Sequence, residues 1–532
     1  MVKKIFRLEN LPKLSLFIII VMVLRMMLVF QPWTVNDDGK RGVIKWDVIS
    51  YYAFLPATVI HGDPTLSFLD DQEFHNNNKI WYSKLENGNR LIVTSMGLSY
   101  LYSPFFLTAH ALAPLVGQEN DGYSNIYQLF LMISGVVYAL LGLFLLMRLL
   151  RRFFDPVTTA IVILVIGIGT NLYYYTAMEP AMPHSHNFFL ITLFLYIVLR
   201  WYDKPTIINA ALLGALFGLI VLVRPTNVLL FLFLFLYGVT SWKDLGERVL
   251  FYLQRWPKVL LMLAMFMIPW IPQMLYWKAL TGQYFFFTYS VKNAGFFFAH
   301  PQILDNLFNF RKGWLIYTPV MWFALAGIFF LFKRMKKWAI ALLIYTAAMI
   351  YVQSSWWCWW FGGGYGLRPY ISMYPVLAIP MAMLLAELYR RERKTGFAVV
   401  ASILLLLSVY QVFQTRQYRS SAIHWSGTTR ASYFENFLKP LPTSASWKML
   451  RLPDFNLARE GIYVSYPTAD DPEAWKAMGE DKGKEKIRSM IETDKQLRRQ
   501  IQRFAERENI SLEAAYQQVL DRMYERKCEV GV

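Results

Sequence analysis

Cysteine is nearly absent from this sequence. Its 532 residues include two, Cys358 and Cys528. They lie far apart, so neither a disulfide framework nor a CxxC metal site follows. Charge is scarce as well. Asp, Glu, Lys and Arg make up 17% of the chain, against about 25% in an ordinary soluble domain. Acids are the rarer sign, 36 against 54 Lys and Arg, for a net charge of +18. That excess does not mark a nucleic-acid binder. The bases sit in short stretches between apolar runs, which is the positive-inside pattern of a membrane protein. Internal repeats are lacking too.

Apolar residues are abundant, at 56% hydrophobic and 17% aromatic. The runs 14–30, 157–175, 207–223, 228–239 and 259–276 are nearly free of charge. A helix needs about 20 residues to cross a bilayer, and these runs do not alternate as barrel strands do. The expected fold is an all-α polytopic membrane protein. Lys3, Lys4, Arg7 and Lys13 precede the first run, and Phe30-Gln31-Pro32-Trp33 ends it. It reads as an uncleaved first span rather than a signal peptide.

Basic clusters at 148–152, 200–204, 243–258, 333–337 and 390–394 set the remaining inside loops. They predict about eleven spans: 14–31, 125–147, 157–176, 187–200, 207–223, 226–240, 259–278, 314–332, 338–354, 370–388 and 396–413. The chain then divides into a membrane domain, 1–413, and a soluble, mostly helical tail, 414–532. Residues 32–124 form a large first outer loop, in which 91–115 lies at the membrane surface or packs against the bundle. The expected setting is a bacterial inner membrane, with the amino terminus cytoplasmic and the carboxyl terminus periplasmic. In the tail, Ile491, Leu497, Ile501, Phe504, Leu512, Tyr516, Val519, Leu520 and Met523 draw apolar helical stripes. Ser511 reads as a helix N-cap.

Four strings could carry chemistry, all on the outer side. Asp47 opens Asp47-Val-Ile-Ser-Tyr-Tyr. A carboxylate among aromatics close to the membrane is partly desolvated and holds its proton more readily unless a cation opposes this. It suits general-base work on a hydroxyl, and equally a helix N-cap. Glu179 precedes His184-Ser-His186-Asn187. Two His at this spacing suit a sugar or phosphate, while a metal needs more ligands than they supply; a helix-capping loop reads as well. Arg224-Pro-Thr-Asn227 places a guanidinium between two apolar runs, as a phosphate fork or a snorkelling anchor. Trp356 to Tyr370 combines four Trp, four Gly and Arg368. The Trp suit an interfacial belt, and the Gly allow close backbone approach to a ligand. Arg224 and Arg368, with Lys292 in the loop 279–313, suggest an anionic ligand such as a lipid phosphate.

Together with Asp121-Gly-Tyr-Ser, these strings resemble the GT-C superfamily of membrane glycosyltransferases, over roughly residues 10–413. That group includes protein O-mannosyltransferases and the lipid A aminoarabinose transferase, and the similarity is closer to uncharacterised GT-C-like proteins of Bacteroidota. The resemblance implies inverting transfer of a sugar from a polyprenyl-phosphate carrier to a lipid, glycan or protein acceptor at the outer face. It implies Asp47 as base and Arg224, Arg368 and Lys292 as donor-phosphate contacts. Tyr51, His184, His186, Trp360 and Tyr365 would meet substrate. The acidic doublet of the family is missing, since Val48 follows Asp47. Asp37 or Asp38 could share its role, and together with Glu179 they are the candidates for a divalent metal, Mg²⁺ or Mn²⁺. An oligosaccharyltransferase moving a preassembled glycan to protein is the nearest alternative. A lipid or solute transporter and a noncatalytic scaffold are the others.

Overall fold

The computed structural model describes residues 7–35, 42–70, 79–390, 394–468 and 472–529. Asp37 and Asp38 lie outside the described residues. The chain forms two compact units. The first comprises 1–291, 318–349 and 369–412; the second comprises 292–317, 350–368 and 413–532.

Among the described residues six helices are long and apolar enough to cross a membrane: Leu8–Phe30, Asn125–Leu150, Trp256–Thr281, Lys336–Ser354, Arg368–Arg390 and Lys394–Arg419. Helices also form at the other five expected spans; Ile207–Val223 keeps the expected bounds and the rest differ in shape. The expected third is broken at Gly169-Thr170 into Pro156–Ile168 and Leu172–Ala177. The sixth is a short turn and helix after Pro225, and the eighth splits before Met321. The fourth, Pro183–Asp203, carries His, Ser and Asn in its first turn. Proline supplies these breaks by lacking an N–H, polar side chains by bonding to nearby backbone, and glycine by its conformational freedom.

Glycine sets the packing of the first unit. Leu11–Phe30 lies on Pro156–Ile168, Asn125–Leu150 on Pro183–Asp203, Ile207–Val223 on Trp256–Met267, and Met321–Arg334 on Tyr374–Arg390. Each pair meets at a glycine whose added Cβ would collide with the partner: Gly167 with Ile19, Gly142 with Phe188, Gly214 and Gly218 with the carbonyls of Met262 and Phe266, and Gly327 with that of Pro380. Lipid offers no hydrophobic drive for helix association, so close backbone approach through small residues carries it instead.

The second unit is built around an apolar core. A two-stranded antiparallel sheet pairs Arg451–Pro453 with Ser465–Pro467. Helices Pro472–Met478, Glu480–Thr493, Lys495–Glu508 and Leu512–Cys528 enclose an apolar core that includes Ile487, Ile491, Leu497, Ile501, Phe504, Val519, Leu520 and Met523. Tyr516 packs at its edge, whereas Leu512 is exposed. Asp494 and Ser511 cap the last two helices through backbone N–H groups, and Asn509 ends the first of them in the left-handed region. The tail is joined by two loops. Gly295 and Phe297 exchange backbone hydrogen bonds with Trp357 and Ser355, and Arg311 donates to Ser465 Oγ at 2.7 Å.

Candidate functional site

In the first unit one helix gathers three of the four strings. It is Gly97–Leu112, within the stretch expected to lie on the membrane or the bundle. It packs against Asn125–Leu150 and Ile207–Val223. Ser95, just before it, donates to the Leu222 carbonyl. Ser99 donates to the Tyr51 carbonyl at 2.5 Å. Tyr102 OH donates to the Ala181 carbonyl. The three-residue spacing puts Ser99 and Tyr102 on one helical face, with Ser95 just ahead of the first turn. The same face touches the Asp47 helix, the loop before His184 and the chain just before Arg224. Gly97 allows it: a Cβ there would lie 2.6 Å from Val223 N. A further bond closes the group, from Asn227 Nδ2 to Asn187 Oδ1 at 3.1 Å, both residues being buried. Two strings read separately in the sequence are thus directly bonded. The sequence signal was present in Ser95-Met-Gly-Leu-Ser-Tyr-Leu-Tyr102, small and hydroxyl residues at helical spacing, but an apolar stretch hides such a pattern.

Asp47 is the first residue of Asp47–Tyr52, and its residue is exposed while Val48, Ile49 and Ser50 behind it are buried. The burial of Asp47 expected from its aromatic neighbours is therefore not what the fold produces. Nor does Asp47 occupy the N-cap. That place belongs to Trp46, at φ 52 and ψ −135, without a side-chain cap bond. A non-glycine residue held there costs about 1–3 kcal/mol. Trp46 is 66% exposed, so its ring recovers little of that by packing. What the strained turn does achieve is to aim the next residue, Asp47, outward. Upstream, Gln128 Oε1 accepts from Val43 N and Ile44 N at 2.8 and 2.9 Å and fixes the loop.

His184 and His186 are buried in the first turn of Pro183–Asp203. Residues two apart on a helix point about 200° apart, so the pair cannot share one metal ion. His184 meets the Tyr175 ring edge-on at 4.7 Å. His186 Nε2 lies 2.9 Å from Ser134 Oγ, and its ring meets Tyr102 at 5.3 Å. Glu179 is half-buried and accepts from Tyr174 OH at 3.0 Å. Among the described residues no three His, Cys, Asp or Glu side chains are placed to hold a metal ion. Arg224 is half-buried in extended backbone at the end of Ile207–Val223. The Asp121 carboxylate pairs with Lys79 at 3.1 Å and accepts from Tyr123 N and Ser124 N, a structural turn that starts Asn125–Leu150.

Arg368, Lys292, Trp360 and Tyr365 fall in the first two loops of the second unit. Lys292 is exposed at the end of a short turn. Trp360 and Tyr365 are buried; Trp360 packs on Phe455 and Tyr463, and Tyr365 OH donates to Gln414 Oε1 at 3.2 Å. The turn that follows Trp360 and contains Tyr365 has Gly362, Gly364 and Gly366 at φ 63, 141 and 58, values that side-chain-bearing residues rarely adopt. Beside it stand two cations that the sequence reading passed over. Lys312 is 2% exposed and donates to the Gly364 carbonyl. Arg311 stacks over the Trp360 ring at 5.2 Å. Their signal was a plain Arg-Lys pair in a loop, which nothing distinguished from a surface charge.

No protein-family model matches the chain, and no curated protein matches it in sequence. Two solved structures of the Archaeoglobus fulgidus oligosaccharyltransferase are similar in shape. The apo form is 15% identical over 81% of this chain and 60% of that one, at a TM-score of 0.43. The complex with Zn and sulfate is 16% identical over 81% and 57%, at 0.41. This chain thus spans about 60% of the length of the structures it matches. A likeness of this order decides neither reaction nor substrate.

Proposed function

We propose that this protein is a membrane glycosyltransferase of GT-C type. It moves a sugar from a polyprenyl-phosphate donor to an acceptor hydroxyl at the periplasmic face of a bacterial inner membrane. The observation that carries the reading is the convergence, on one face of Gly97–Leu112, of the Asp47 helix, the His184 loop and the chain entering Arg224. Six apolar helices supply the lipid setting that such a donor needs.

In this proposal Asp47 takes the proton of the acceptor hydroxyl. Its exposure suits a base that must reach an incoming substrate, and the strained Trp46 turn holds it there. The acceptor oxygen attacks the anomeric carbon while the bond from that carbon to the phosphate oxygen breaks. One displacement inverts the anomeric centre. Charge developing on the leaving phosphate is met by the Arg224 guanidinium, which stabilises the transition state more than the ground state. Tyr51, whose own carbonyl Ser99 holds, serves in this proposal as a substrate contact. His184 and His186 act from behind it, through Tyr175, Tyr102 and Ser134. The described residues provide no metal set, so no step is routed through Mg²⁺ or Mn²⁺.

The test is Asp47→Asn in the purified full chain, with transfer from a radiolabelled polyprenyl-phosphate sugar as readout. Loss of about 10²–10⁴-fold is expected for a general base, at an unchanged thermal midpoint. A folded variant with full activity would overturn the assignment. A strict need for a divalent ion with a peptide acceptor would instead favour transfer of a preassembled glycan to protein.

A further inference from the structure

The helix Lys394–Arg419, one of the six candidate spans, has 26 residues. At about 1.5 Å per residue it is about 39 Å long, against about 30 Å of hydrocarbon in a bilayer. Its apolar run ends at Phe413, and Gln414-Thr-Arg-Gln417 follow, so its last turns stand among headgroups. Gln414 and Gln417, three residues apart, share a helical face, and Ser420 follows just past the helix end. Gln414 Nε2 donates to Tyr433 OH at 3.1 Å. Gln417 Nε2 donates to the carbonyls of Asn436 and Lys439 at 2.8 and 2.9 Å, and Ser420 Oγ to that of Pro440. Asn436 Nδ2 returns to the Ala422 carbonyl at 2.8 Å. All of these residues belong to the second unit. The segment 433–440 is thereby tied to the point where the helix leaves the lipid.

That segment presents large apolar side chains. Phe434, Leu438 and Leu441 are 54%, 60% and 66% exposed. Leu438 sits at φ 56, a left-handed conformation that a side-chain-bearing residue holds only under strain. Its exposure means that packing within the chain recovers little of that strain. Basic charge surrounds these side chains. Residues 413–451 hold six Lys and Arg and a single acid, Glu435, which accepts from Lys439 at 2.9 Å. Arg430 and Lys448 are exposed. His424 adds no charge to this count, because burial, with Lys312 and Arg311 adding to it, holds its imidazole down at about 4. The exposed Trp425 and Trp447 flank that ring at 5.3 and 5.9 Å, and Trp is a residue type that membrane interfaces collect.

Exposed apolar side chains among bases suit a lipid surface, where acyl chains take up the first and anionic headgroups the second. A second copy of this chain fits worse, since a two-fold contact would set the same bases against each other. We propose that the segment 430–448 docks on the lipid leaflet at the carboxyl end of Lys394–Arg419. Phe434, Leu438 and Leu441 enter the leaflet, and Arg430 and Lys448 meet anionic headgroups. The second unit is then held at the membrane surface by its own side chains as well as by the chain that leads into it. Nothing in this depends on sugar transfer.

The test places a nitroxide on Leu441→Cys in the full chain, in a Cys528→Ser background, reconstituted into lipid nanodiscs. Cys358 is buried and stays unlabelled. Collisions with oxygen report lipid, and collisions with a water-soluble nickel chelate report solvent. The oxygen-to-nickel ratio at 441 is expected to exceed several-fold that at Leu512→Cys, an exposed position of the tail. Phe434→Cys repeats the measurement if Leu441→Cys lowers the thermal midpoint. Exchanging phosphatidylcholine for phosphatidylglycerol is expected to raise the ratio at 441, and Arg430→Gln with Lys448→Gln to remove that gain. A folded protein whose ratio at 441 is no higher than at 512 overturns the docking. Equal ratios in the two lipids overturn the headgroup contacts. Strong dipolar broadening between labels, in detergent and bilayer alike, puts a second copy on the patch and overturns the leaflet as its partner.

Discussion

The two units are built by different physics. The first is held where glycines let helix backbones touch. The second is held by an apolar core, with side-chain caps at Thr429, Thr443, Asp454, Asp494 and Ser511. In lipid, an apolar side chain gains nothing by facing a partner helix rather than the bilayer, so contact must come from shape. In water the same side chain gains about 25 cal/mol per Å² buried, so the core forms wherever the stripe is. The first unit is therefore specified by its smallest residues and the second by its largest.

That contrast can be broken by substitution, beginning where the effect is greatest. Gly327→Leu forces a branched side chain into the Pro380 carbonyl. It should cost more than the roughly 1–3 kcal/mol of ordinary overpacking, because backbone rather than a flexible side chain must yield. The folded yield in detergent is expected to collapse; a yield near wild type would show that glycine contact is incidental. Ile501→Ala empties a fully buried position of the tail core and should cost about 2–5 kcal/mol. Urea titration with a probe in the tail is the check, and an unchanged midpoint would contradict a water-type core. Tyr102→Phe removes one bond of the scaffold face. About 1 kcal/mol of stability is expected to go, with a larger loss in kcat than in thermal midpoint if the face positions the site. Last is a pH effect confined to the second unit. The imidazole of His424 is held down at about 4, below its value in an unfolded chain, about 6.5. The unfolded chain thus binds the extra proton between those values, and stability falls as pH drops through them. His424→Phe should flatten that slope by up to one proton per molecule, read from thermal midpoints between pH 6.5 and 4.

Legibility in the sequence follows the same division. Tail helices could be read from stripes and caps: Ile491, Leu497, Ile501 and Phe504 are buried together, and Ser511 caps where its hydroxyl predicts. Leu512 departs because the first turn after a cap faces water. In the membrane unit the helical segments and the break at Pro225 were readable, but the breaks at Gly169 and before Met321 were not, since a hydropathy run does not record local hydrogen bonding. The strings at Asp47, His184 and Arg224 were found as strings. Their assembly was not, because the scaffold between them is made of Ser95, Gly97, Ser99 and Tyr102, residues that read as gaps in an apolar segment. Arg311 and Lys312 escaped for the opposite reason. Charges in a loop look solvated until the fold closes over them.

All three bonds of the scaffold face run from a side-chain hydroxyl to a main-chain oxygen. The receiving positions, Tyr51, Ala181 and Leu222, contribute a carbonyl that any amino acid supplies, whereas the giving positions depend on one chemical group each. Tolerance to substitution should therefore be lopsided across every pair. A saturation library scored for transfer is expected to accept most exchanges at Ala181 that avoid steric overlap and to reject nearly all at Ser95, Ser99 and Tyr102. The active region could then drift in its visible motifs while its alignment is kept by a helix that carries no catalytic group.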